Sequence, residues 1–491
     1  MGARTGQQYV ESLKDGREVW LDGERIDDVT ADPRFRAAPL SLAELYDMQH
    51  EAATRNVLTF ASPAGGAPVG LSHIQPRSIK DLRRRRAMVK TWMDRCGGMM
   101  GRTPDFLNVM VSAYAAGAEH FAAGGAMFGE NIRAYHRLIR ENDLALTHSL
   151  VTPELDRSKP IFEQPGDMAM KAVRETDAGI IVRGARSIAT LAPFANEILV
   201  LPSHVRVPLV PDAACYILGF AVPVATRGVR LICRPSLAAT GRVLDHPLSS
   251  RFDEMDAVVW FDDVLVPWER VFLYRNLEAA GSIRRIGSGQ TMHQSGTKAW
   301  AKAEFLLGIA LAAAEMNRAD REPHVQALLA EMIGTVEMVR GLLVASEAEC
   351  VPGPGDTVVP NDQPLSVIRL QFPALHARLV EILHLICSGN LVLVPGVAEL
   401  SGGAADAVAA YCRDAAGFGP ARKIELLRLA WDASCSGFAG RQVLYERFFS
   451  GDPWRNAQMR TQGYARSAEL KQRIWEFLDR TEVWDRRLAG R

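Results

Sequence analysis

The chain has 491 residues, and its 57 basic side chains balance 57 acidic ones, so the formal net charge at pH 7 is zero. A chain of this length is longer than a single hydrophobic core usually supports, which indicates about three domains. The balanced charge excludes a long-range positive field that would hold nucleic acid or an anionic membrane. We therefore expect neither among its partners.

The seven cysteines indicate free thiols rather than a disulfide framework or a zinc site. They are odd in number and widely spaced, without a Cys-x-x-Cys pair or a histidine at zinc-binding spacing. The first residues contain no apolar run typical of a signal peptide. The most apolar helical stretch, 305–314, is shorter than the roughly 20 residues that span a bilayer. We expect a soluble, cytoplasmic protein.

Residues 1–147 are predicted to form a helical domain with a short N-terminal hairpin. Two extended runs flank Asp22-Gly23, which is a strong hairpin signal. From Ser41 to Leu144, apolar residues recur at spacings of three and four, as in an amphipathic helix. The dense basic run, Arg83 to Arg86, lies inside this helical pattern, and we interpret it mostly as a solvated helix face.

Residues 97–106 join two of these helices and suggest a ligand site. Three glycines permit close approach of the backbone, and Thr103 before Pro104 is typical of a helix N-cap followed by proline at the first helical position. Arg102 then stands just ahead of a helix N-terminus, which favours an anionic oxygen. The alternative is a helix corner with a solvated arginine. Asp105 could belong to the cap or to the site, and we favour the cap.

Residues 148–278 are predicted to form a β domain. Short β-rich runs are separated by Gly, Pro, Asp and Asn, too closely for crossover helices, so an antiparallel sheet or barrel is indicated. No strand leads into a G-x-G-x-x-G turn and a helix, which argues against a nicotinamide-binding module. The runs are Gly179–Val182, Glu197–Leu201, Cys215–Val222, Val229–Cys233 and Ala257–Phe261.

Residues 279–491 are predicted to form a bundle of long helices whose outer faces pack against other subunits. The complete chain is thus α+β, mainly α, and oligomeric. The expected helices are Met292–Met316, Pro323–Cys350, Val367–Ser388, Ile424–Phe449 and Ala468–Trp484.

This order of domains resembles the acyl-CoA dehydrogenase architecture. Within it, nearly the whole chain resembles the 4-hydroxyphenylacetate 3-hydroxylase family, the oxygenase components of two-component monooxygenases that use reduced flavin. Each matching fragment is weak alone, but six in the same order are a specific signal. The fragments are residues 4–6, 23–29, 101–105, 147–157, 189–193 and 445–453.

The resemblance implies a set of site residues and no metal ligand. The family holds the phenolic oxygen of its substrate with residues that match Arg102 and His148, the implied catalytic pair. The positions matching substrate contacts are Arg102, Phe106, His148, Ser203 and His204. Those matching flavin contacts are His148, Glu154, Leu155, Asp156, Arg157, Thr190, Ser450, Gly451, Asp452 and Pro453.

The resemblance also implies the chemistry. FAD, used as FADH2, reacts with O2 to give a C4a-hydroperoxide, which the activated aromatic ring attacks in a site that excludes water. An arginine and a histidine at a phenol favour its ionised form. A separate NAD(P)H:flavin reductase would supply the FADH2, in keeping with the missing dinucleotide-binding motif. The expected assembly is a homotetramer.

One position departs from the family pattern. The 4-hydroxyphenylacetate enzymes have a tyrosine after Arg-Thr-Pro-Asp, and this chain has Phe106. Without that hydroxyl the site discriminates differently among substrates, so we expect a substrate other than 4-hydroxyphenylacetate. A different phenol, a heteroaromatic ring, an amine nitrogen and an aromatic group tethered to a carrier protein remain open.

Three other functions were weighed. A 4-hydroxybutyryl-CoA dehydratase needs three cysteines and a histidine for its iron–sulfur cluster, whereas only Cys96 and His293 are candidates here and Trp300 stands where another ligand is expected. Cys96 is then a core residue and His293 a bundle or interface histidine. An acyl-CoA dehydrogenase needs a catalytic glutamate, but a solvated helix face accounts for Glu347 and Glu349. The Arg102 and His148 pair argues against a non-catalytic scaffold.

Overall fold

The computed structural model describes residues 2–35, 37–153, 156, 158–164, 168–202, 207–283 and 286–490. Helices dominate the first and last parts of the chain, and sheets occupy the middle. The predicted class, α+β and mainly α, is therefore confirmed. Short 3₁₀ turns are found at Leu71–His73, Ile161–Glu163, Ala192–Phe194, Pro211–Tyr216, Val243–Asp245, Trp268–Arg270 and Val397–Leu400.

The N-terminal part is helical apart from two hairpins, and the hairpin predicted at Asp22-Gly23 is confirmed. The longer helices form where apolar residues recur on one face. In α4, for example, the Ser78 side chain accepts the N–H of Asp81 at the cap, and the apolar side chains turn into the core. The elements are α1 (Gly6–Glu11), β1 (Glu18–Leu21), β2 (Glu24–Ile26), α2 (Ala38–Asp47), α3 (Arg55–Leu58), β3 (Thr59–Ala61), β4 (Pro68–Gly70), α4 (Ile79–Arg95), α5 (Pro104–Ala116), α6 (Ala118–Ala122) and α7 (Ala126–Asn142).

The middle part contributes most strands of two larger sheets. All five predicted β-rich runs overlap strands, although the run at 215 begins in a 3₁₀ turn and enters its strand only at Leu218. The elements are β5 (Leu146–Ser149), β6 (Lys171–Thr176), β7 (Gly179–Thr190), β8 (Glu197–Val200), β9 (Leu218–Pro223), β10 (Val229–Cys233), α8 (Ser249–Phe252), β11 (Asp256–Pro267), β12 (Val271–Tyr274) and α9 (Leu277–Ile283).

The strand pairings correct the expectation of a wholly antiparallel sheet. One sheet has the order β2-β1-β10-β11-β7-β6 and the other β12-β9-β8-β5. The pairs β1–β10 and β5–β8 are parallel, because the N-terminal hairpin and the strand that ends the helical part add to sheets formed much later in the chain. A closed barrel and the domain limits at 147 and 278 stay predictions.

The C-terminal part is a bundle of long helices in which α10 packs against α4, α5, α11 and α12. The helix expected over 424–449 is two helices, because the chain breaks before Ser436, whose side chain caps the second one. Among the described helices, α12 is long and apolar enough to cross a membrane by length and composition alone. The elements are α10 (Ser288–Met316), α11 (Pro323–Ala348), β13 (Val351–Pro352), β14 (Val358–Val359), α12 (Asp362–Cys387), α13 (Gly389–Leu393), α14 (Ala405–Tyr411), α15 (Pro420–Ser434), α16 (Gly437–Phe448), α17 (Pro453–Gln462) and α18 (Ser467–Ala489).

The joint between α4 and α5 depends on its glycines. Gly97 and Gly98 have φ values of 59° and 66°, which side chains rarely adopt. A Cβ on Gly98 would lie 2.7 Å from the Cβ of Lys302 in α10. Thr103 is the N-cap residue of α5 and Pro104 opens the helix, as predicted, although the Thr103 side chain makes no capping hydrogen bond.

We predict that Gly98→Ala lowers the free energy of unfolding by about 2–4 kcal/mol, because it combines a strained φ with a clash against α10. The matched variant is Gly341→Ala on the exposed face of α11, where no atom lies within 4 Å of the new Cβ; it should stabilise the helix by roughly 0.5–1 kcal/mol. Denaturant unfolding midpoints test both. Equal midpoints for the two variants would contradict the role of the glycine.

Candidate functional site

Arg102 is held at the meeting point of all three parts of the chain. It is only 7% exposed. Its backbone N–H donates to Glu254 Oε1 at 2.6 Å, next to the start of β11. Its Nη1 donates to the Tyr445 hydroxyl at 2.9 Å and its Nη2 to the Phe449 carbonyl at 3.4 Å, both near the end of α16. The alternative of a solvated arginine at a helix corner is thus wrong.

Phe106 and His148 complete a small group around Arg102. The guanidinium carbon of Arg102 lies 4.0 Å from the centre of the Phe106 ring, a distance typical of a cation–π contact. The Phe106 and His148 rings meet edge to face, with their centres 5.7 Å apart. The structure therefore brings together the predicted substrate residues that it describes. Their roles at a substrate stay predictions.

The two polar residues of this group, Arg102 and His148, differ in charge at neutral pH. Burial lowers the pKa of His148 to about 3, and the positive charge of Arg102 acts in the same direction. His148 is therefore neutral at pH 7, and Arg102 supplies the positive charge. The Nδ1 atom of His148 is buried and has no hydrogen-bond partner among the residues that the structure describes.

Two predicted cofactor positions lie next to this group. Thr190 ends β7; its hydroxyl donates to Asp256 at 2.7 Å and its carbonyl accepts from Thr147 on β5. The turn 450–453 directly follows Phe449, whose carbonyl Arg102 contacts. In this turn Gly451 has a φ of 100° and Asp452 caps α17.

The other predicted positions are not brought to the group by any described contact. The side chain of Asp156 accepts from the N–H and the hydroxyl of Ser158, and it is partly exposed. Glu154, Leu155, Arg157, Ser203 and His204 lie outside the described residues.

The sequence did not reveal the ion pairs that hold the site together. Arg441 on α16 donates to Glu254 at 2.9 Å and to both carboxylate oxygens of Asp256, at 2.9 and 3.1 Å. Burial alone would raise the pKa of Asp256, but the charges of Arg441 and Arg234 hold it well below its ordinary value. Glu254 therefore joins the Arg441 side chain to the Arg102 backbone. The partners lie about 190 positions apart in the sequence, so no local pattern connects them.

A second buried charge cluster also went unpredicted. Lys298 and Lys302 both contact Glu446, at 2.5 Å, and all three side chains are at most 1% exposed. Lys298 Nζ lies 4.1 Å from the centre of the Phe449 ring, which stacks on Tyr445. Burial lowers the pKa of Lys298 to about 7 despite the carboxylate. The only sequence signal was the spacing of four between the two lysines in an apolar helix.

The residues considered for rival functions have structural roles. Cys96 is a buried core residue. His293 is a bundle histidine, as expected, and its Nε2 donates to Glu347 at 2.9 Å. Glu349 is exposed, but Glu347 is fully buried and also accepts from Arg86, so its assignment to a solvated face was wrong. Within the described part of the chain, no group of three His, Cys, Asp or Glu residues could hold a metal ion.

Asp105 is not the cap residue of α5. It lies one position after Pro104, is fully buried, and accepts from the Gln294 side chain of α10 at 2.7 Å. Burial raises its pKa to about 6. The preferred assignment to the cap therefore does not hold, and Asp105 instead links α5 to α10.

The chain is similar to known proteins over nearly its whole length. Family models for the N-terminal and C-terminal parts of 4-hydroxyphenylacetate 3-hydroxylase match residues 5–273 and 286–479. The oxygenase component of 4-hydroxyphenylacetate 3-monooxygenase from Thermus thermophilus is 40% identical over 485 residues, which cover 97% of each chain. A crystal structure of such a component with FAD and 4-hydroxyphenylacetate aligns with a TM-score of 0.92 and 39% identity, over 98% of this chain and 100% of that one.

A more distant structure shares the fold alone. The 4-hydroxybutyryl-CoA dehydratase from N. maritimus aligns with a TM-score of 0.86 but only 18% identity, over 97% of this chain and 95% of that one.

We predict that Arg441→Met lowers the free energy of unfolding by about 3–5 kcal/mol, because it leaves the buried Glu254 and the partly buried Asp256 without their main charged partner. The matched variant is Arg447→Met, an exposed arginine on the same helix, which should change stability by less than about 0.5 kcal/mol. Denaturant unfolding measures both. Similar losses in the two variants would show that the ion pairs do not stabilise the site.

Proposed function

The chain belongs to the 4-hydroxyphenylacetate 3-hydroxylase family, and on that premise we propose that it is the oxygenase component of a two-component monooxygenase. It hydroxylates a phenol, using FAD in its reduced form together with O2. The observation that carries this proposal is the buried group of Arg102, Phe106 and His148, which combines one cation, one neutral imidazole and one aromatic face.

The polar atoms near the predicted cofactor positions fit a ligand rich in hydrogen-bond acceptors. Arg186 on β7 is fully buried, and its Nε and Nη2 have no partner among the described residues, while its Nη1 donates to Thr152 at 3.1 Å. The buried hydroxyl of Ser149 also has no partner among the residues described. Unsatisfied buried donors are costly, and the carbonyl and phosphate oxygens of FAD would satisfy such donors.

The residues proposed to hold FAD are His148, Thr190 and the turn 450–453, together with the segment 154–157. When bound in its reduced form, FAD supplies the electrons with which O2 delivers one oxygen atom to the substrate.

The residues of the chain prepare the substrate. The positive charge of Arg102 stabilises a phenolate, which raises electron density at the ortho carbon. His148 is neutral, and its Nδ1, which has no partner among the described residues, is suited to accept a hydrogen bond from the phenolic hydroxyl. Phe106 provides an apolar face for the aromatic ring without a hydroxyl of its own. The burial of all three side chains excludes water from the reacting atoms.

Two kinds of protein partner follow from this proposal. A separate NAD(P)H:flavin reductase supplies the reduced FAD, since no dinucleotide-binding motif occurs in the sequence. The second partner is another copy of the same chain, with a homotetramer as the proposed assembly. A cytoplasmic location and a carrier-tethered substrate stay predictions from the sequence.

The assembly proposal is supported by α18, which exposes a stripe of large apolar side chains at spacings of three and four. A lone protomer would leave this stripe in water. Light scattering after gel filtration tests the proposal: Ile474→Glu within the stripe should reduce the mass, whereas Asp479→Lys on the opposite, exposed face of the same helix should not. The stripe comprises Leu470, Ile474, Phe477, Trp484 and Leu488, flanked by Trp475 and Leu478.

We predict that Arg102→Ala reduces hydroxylated product by about 100-fold or more while hydrogen peroxide rises, because oxygen is still reduced but the phenol is no longer activated. The assay combines the protein with a flavin reductase, NADH, FAD and a panel of 4-substituted phenols. Arg95→Ala, at an exposed arginine that ends α4, serves as the control with wild-type yield. Full, coupled turnover by Arg102→Ala would refute the assigned role, and absence of product from the wild type with every phenol would refute the proposed reaction.

We predict that Phe106→Tyr shifts preference toward simple 4-substituted phenols, because the new hydroxyl would lie beside Arg102 and provide a further hydrogen-bond partner for the phenolic oxygen. The ratio of kcat/KM between substrates should change by about tenfold. Phe418→Tyr, at an exposed phenylalanine just before α15, is the matched control. An unchanged substrate profile would mean that this position does not face the ring.

A further inference from the structure

A cavity of about 220 Å³ lies beside α5, where this helix meets the start of α10 and the β13–β14 hairpin. Its walls are mainly apolar and include Val109, Ala113, Ile286 and Val359. Among its buried polar side chains are Arg85 and Gln290, beside Ser112 and Thr357. No predicted substrate or cofactor residue is part of this lining. The volume suits a small molecule of one ring with a short chain.

Arg85 corrects the interpretation of the basic run 83–86 as a solvated face. It is 1% exposed, because it follows Leu82 by three positions and precedes Val89 by four, on the face of α4 that packs inward. Arg83, by contrast, is exposed, and Arg84 is partly exposed. Arg86 is partly buried and reaches Glu347, so Arg85 is the fully buried arginine of the four.

Among the described residues, no acidic side chain forms a direct ion pair with Arg85. Its Nη2 donates to His293 Nδ1 at 3.4 Å, and its Nε has no hydrogen-bond partner among the described residues. Burial lowers the pKa of His293 to about 4, so this histidine is a neutral acceptor. Burial also lowers the pKa of Arg85 to about 9, which still leaves the guanidinium protonated at neutral pH. Glu347, the nearby carboxylate, is bonded to His293 and Arg86 instead.

Gln290 leaves a second unsatisfied atom at the cavity. Its Nε2 donates to the Val358 carbonyl at 2.9 Å, which fixes the amide, and its buried Oε1 has no partner within the described part of the chain. An uncompensated cation and a free amide oxygen in an apolar cavity are costly unless a ligand meets them.

We propose that this cavity binds a small carboxylic acid with an apolar body, with the carboxylate on Arg85 and the body against α5. A planar guanidinium is the group best matched to a carboxylate.

Two sources of this carboxylate are compatible with the geometry. Phe106, Val109 and Ala113 lie on one face of α5, and Phe106 and Ala113 are about 10 Å apart along the axis. In the first case the carboxylate is the far end of a phenolic acid whose ring lies at Phe106, which rests on the proposed function. In the second case the carboxylate belongs to a separate small acid.

Isothermal titration of the complete protein with 3-phenylpropionate tests the proposal, because this acid has no phenolic hydroxyl for Arg102 and His148. Its neutral amide, 3-phenylpropionamide, is the matched ligand. We expect the acid to bind the wild type and to bind Arg85→Met at least about tenfold more weakly. Arg84→Met, one position earlier on the same helix, should bind the acid with the affinity of the wild type. The neutral amide should bind the wild type and both variants with similar affinity.

Two further variants distinguish the loss of a ligand contact from a loss of folding. Arg85→Lys keeps the charge and should retain part of the affinity, whereas Ala116→Leu narrows the cavity without changing any charge and should weaken binding. Thermal unfolding curves establish that each variant is folded. Equal affinity of the acid for wild type and Arg85→Met would overturn the proposal. So would loss of binding in Arg102→Ala with Arg85→Met unaffected, since the carboxylate would then occupy the phenol site.

Competition with a hydroxylated phenol separates the two sources. Competitive inhibition by 3-phenylpropionate indicates the far end of the substrate, and binding that leaves turnover unchanged indicates a separate acid. The titration does not depend on catalysis. An absence of hydroxylation would therefore refute the proposed function while leaving the test of the cavity intact.

Discussion

The salt bridges of Arg441 with Glu254 and Asp256 are the constraint on which the site depends. They connect α16 of the bundle with the segment that leads into β11. The free oxygen of Glu254 accepts the N–H of Arg102 from the joint between α4 and α5. Three parts of the chain therefore meet at one carboxylate. A buried carboxylate is costly without partners. A displacement of α16 would remove the charged partner of Glu254, and a displacement of the joint would remove its main-chain donor.

The charges around this point are distributed asymmetrically. Lys298 and Lys302 share Glu446 beneath the stacked rings of Tyr445 and Phe449. His148, whose ring meets Phe106 edge to face, is neutral because burial and the nearby arginine disfavour its protonated form. A phenol placed there would meet the positive charge of Arg102 and a neutral hydrogen-bonding imidazole at His148. This asymmetry gives Arg102 and His148 different tasks, although the sequence assigned both to the same oxygen.

The fold was predictable where the signal is local, and the site was predictable only in part. The hairpin at Asp22-Gly23 and the long helices follow from turn chemistry and apolar spacing. The parallel pairing of β1 with β10 joins segments about 210 positions apart, and no local pattern specifies such a contact. Short motifs that match a family were enough to predict Arg102, Phe106 and His148. Arg441 and Glu254 were missed because their importance lies in a geometry that brings distant segments together. Arg85 was misassigned for a related reason, since four consecutive arginines point in different directions around a helix.

The loop that carries Arg102 is held by its main chain. Its position therefore does not depend on which side chain stands at residue 102. Glu254 accepts the peptide N–H of residue 102, and every amino acid except proline offers that donor. The side chain at 102 can therefore change without loss of this anchor. A substitution at position 102 would therefore alter the chemistry of the site while Glu254 still holds the loop.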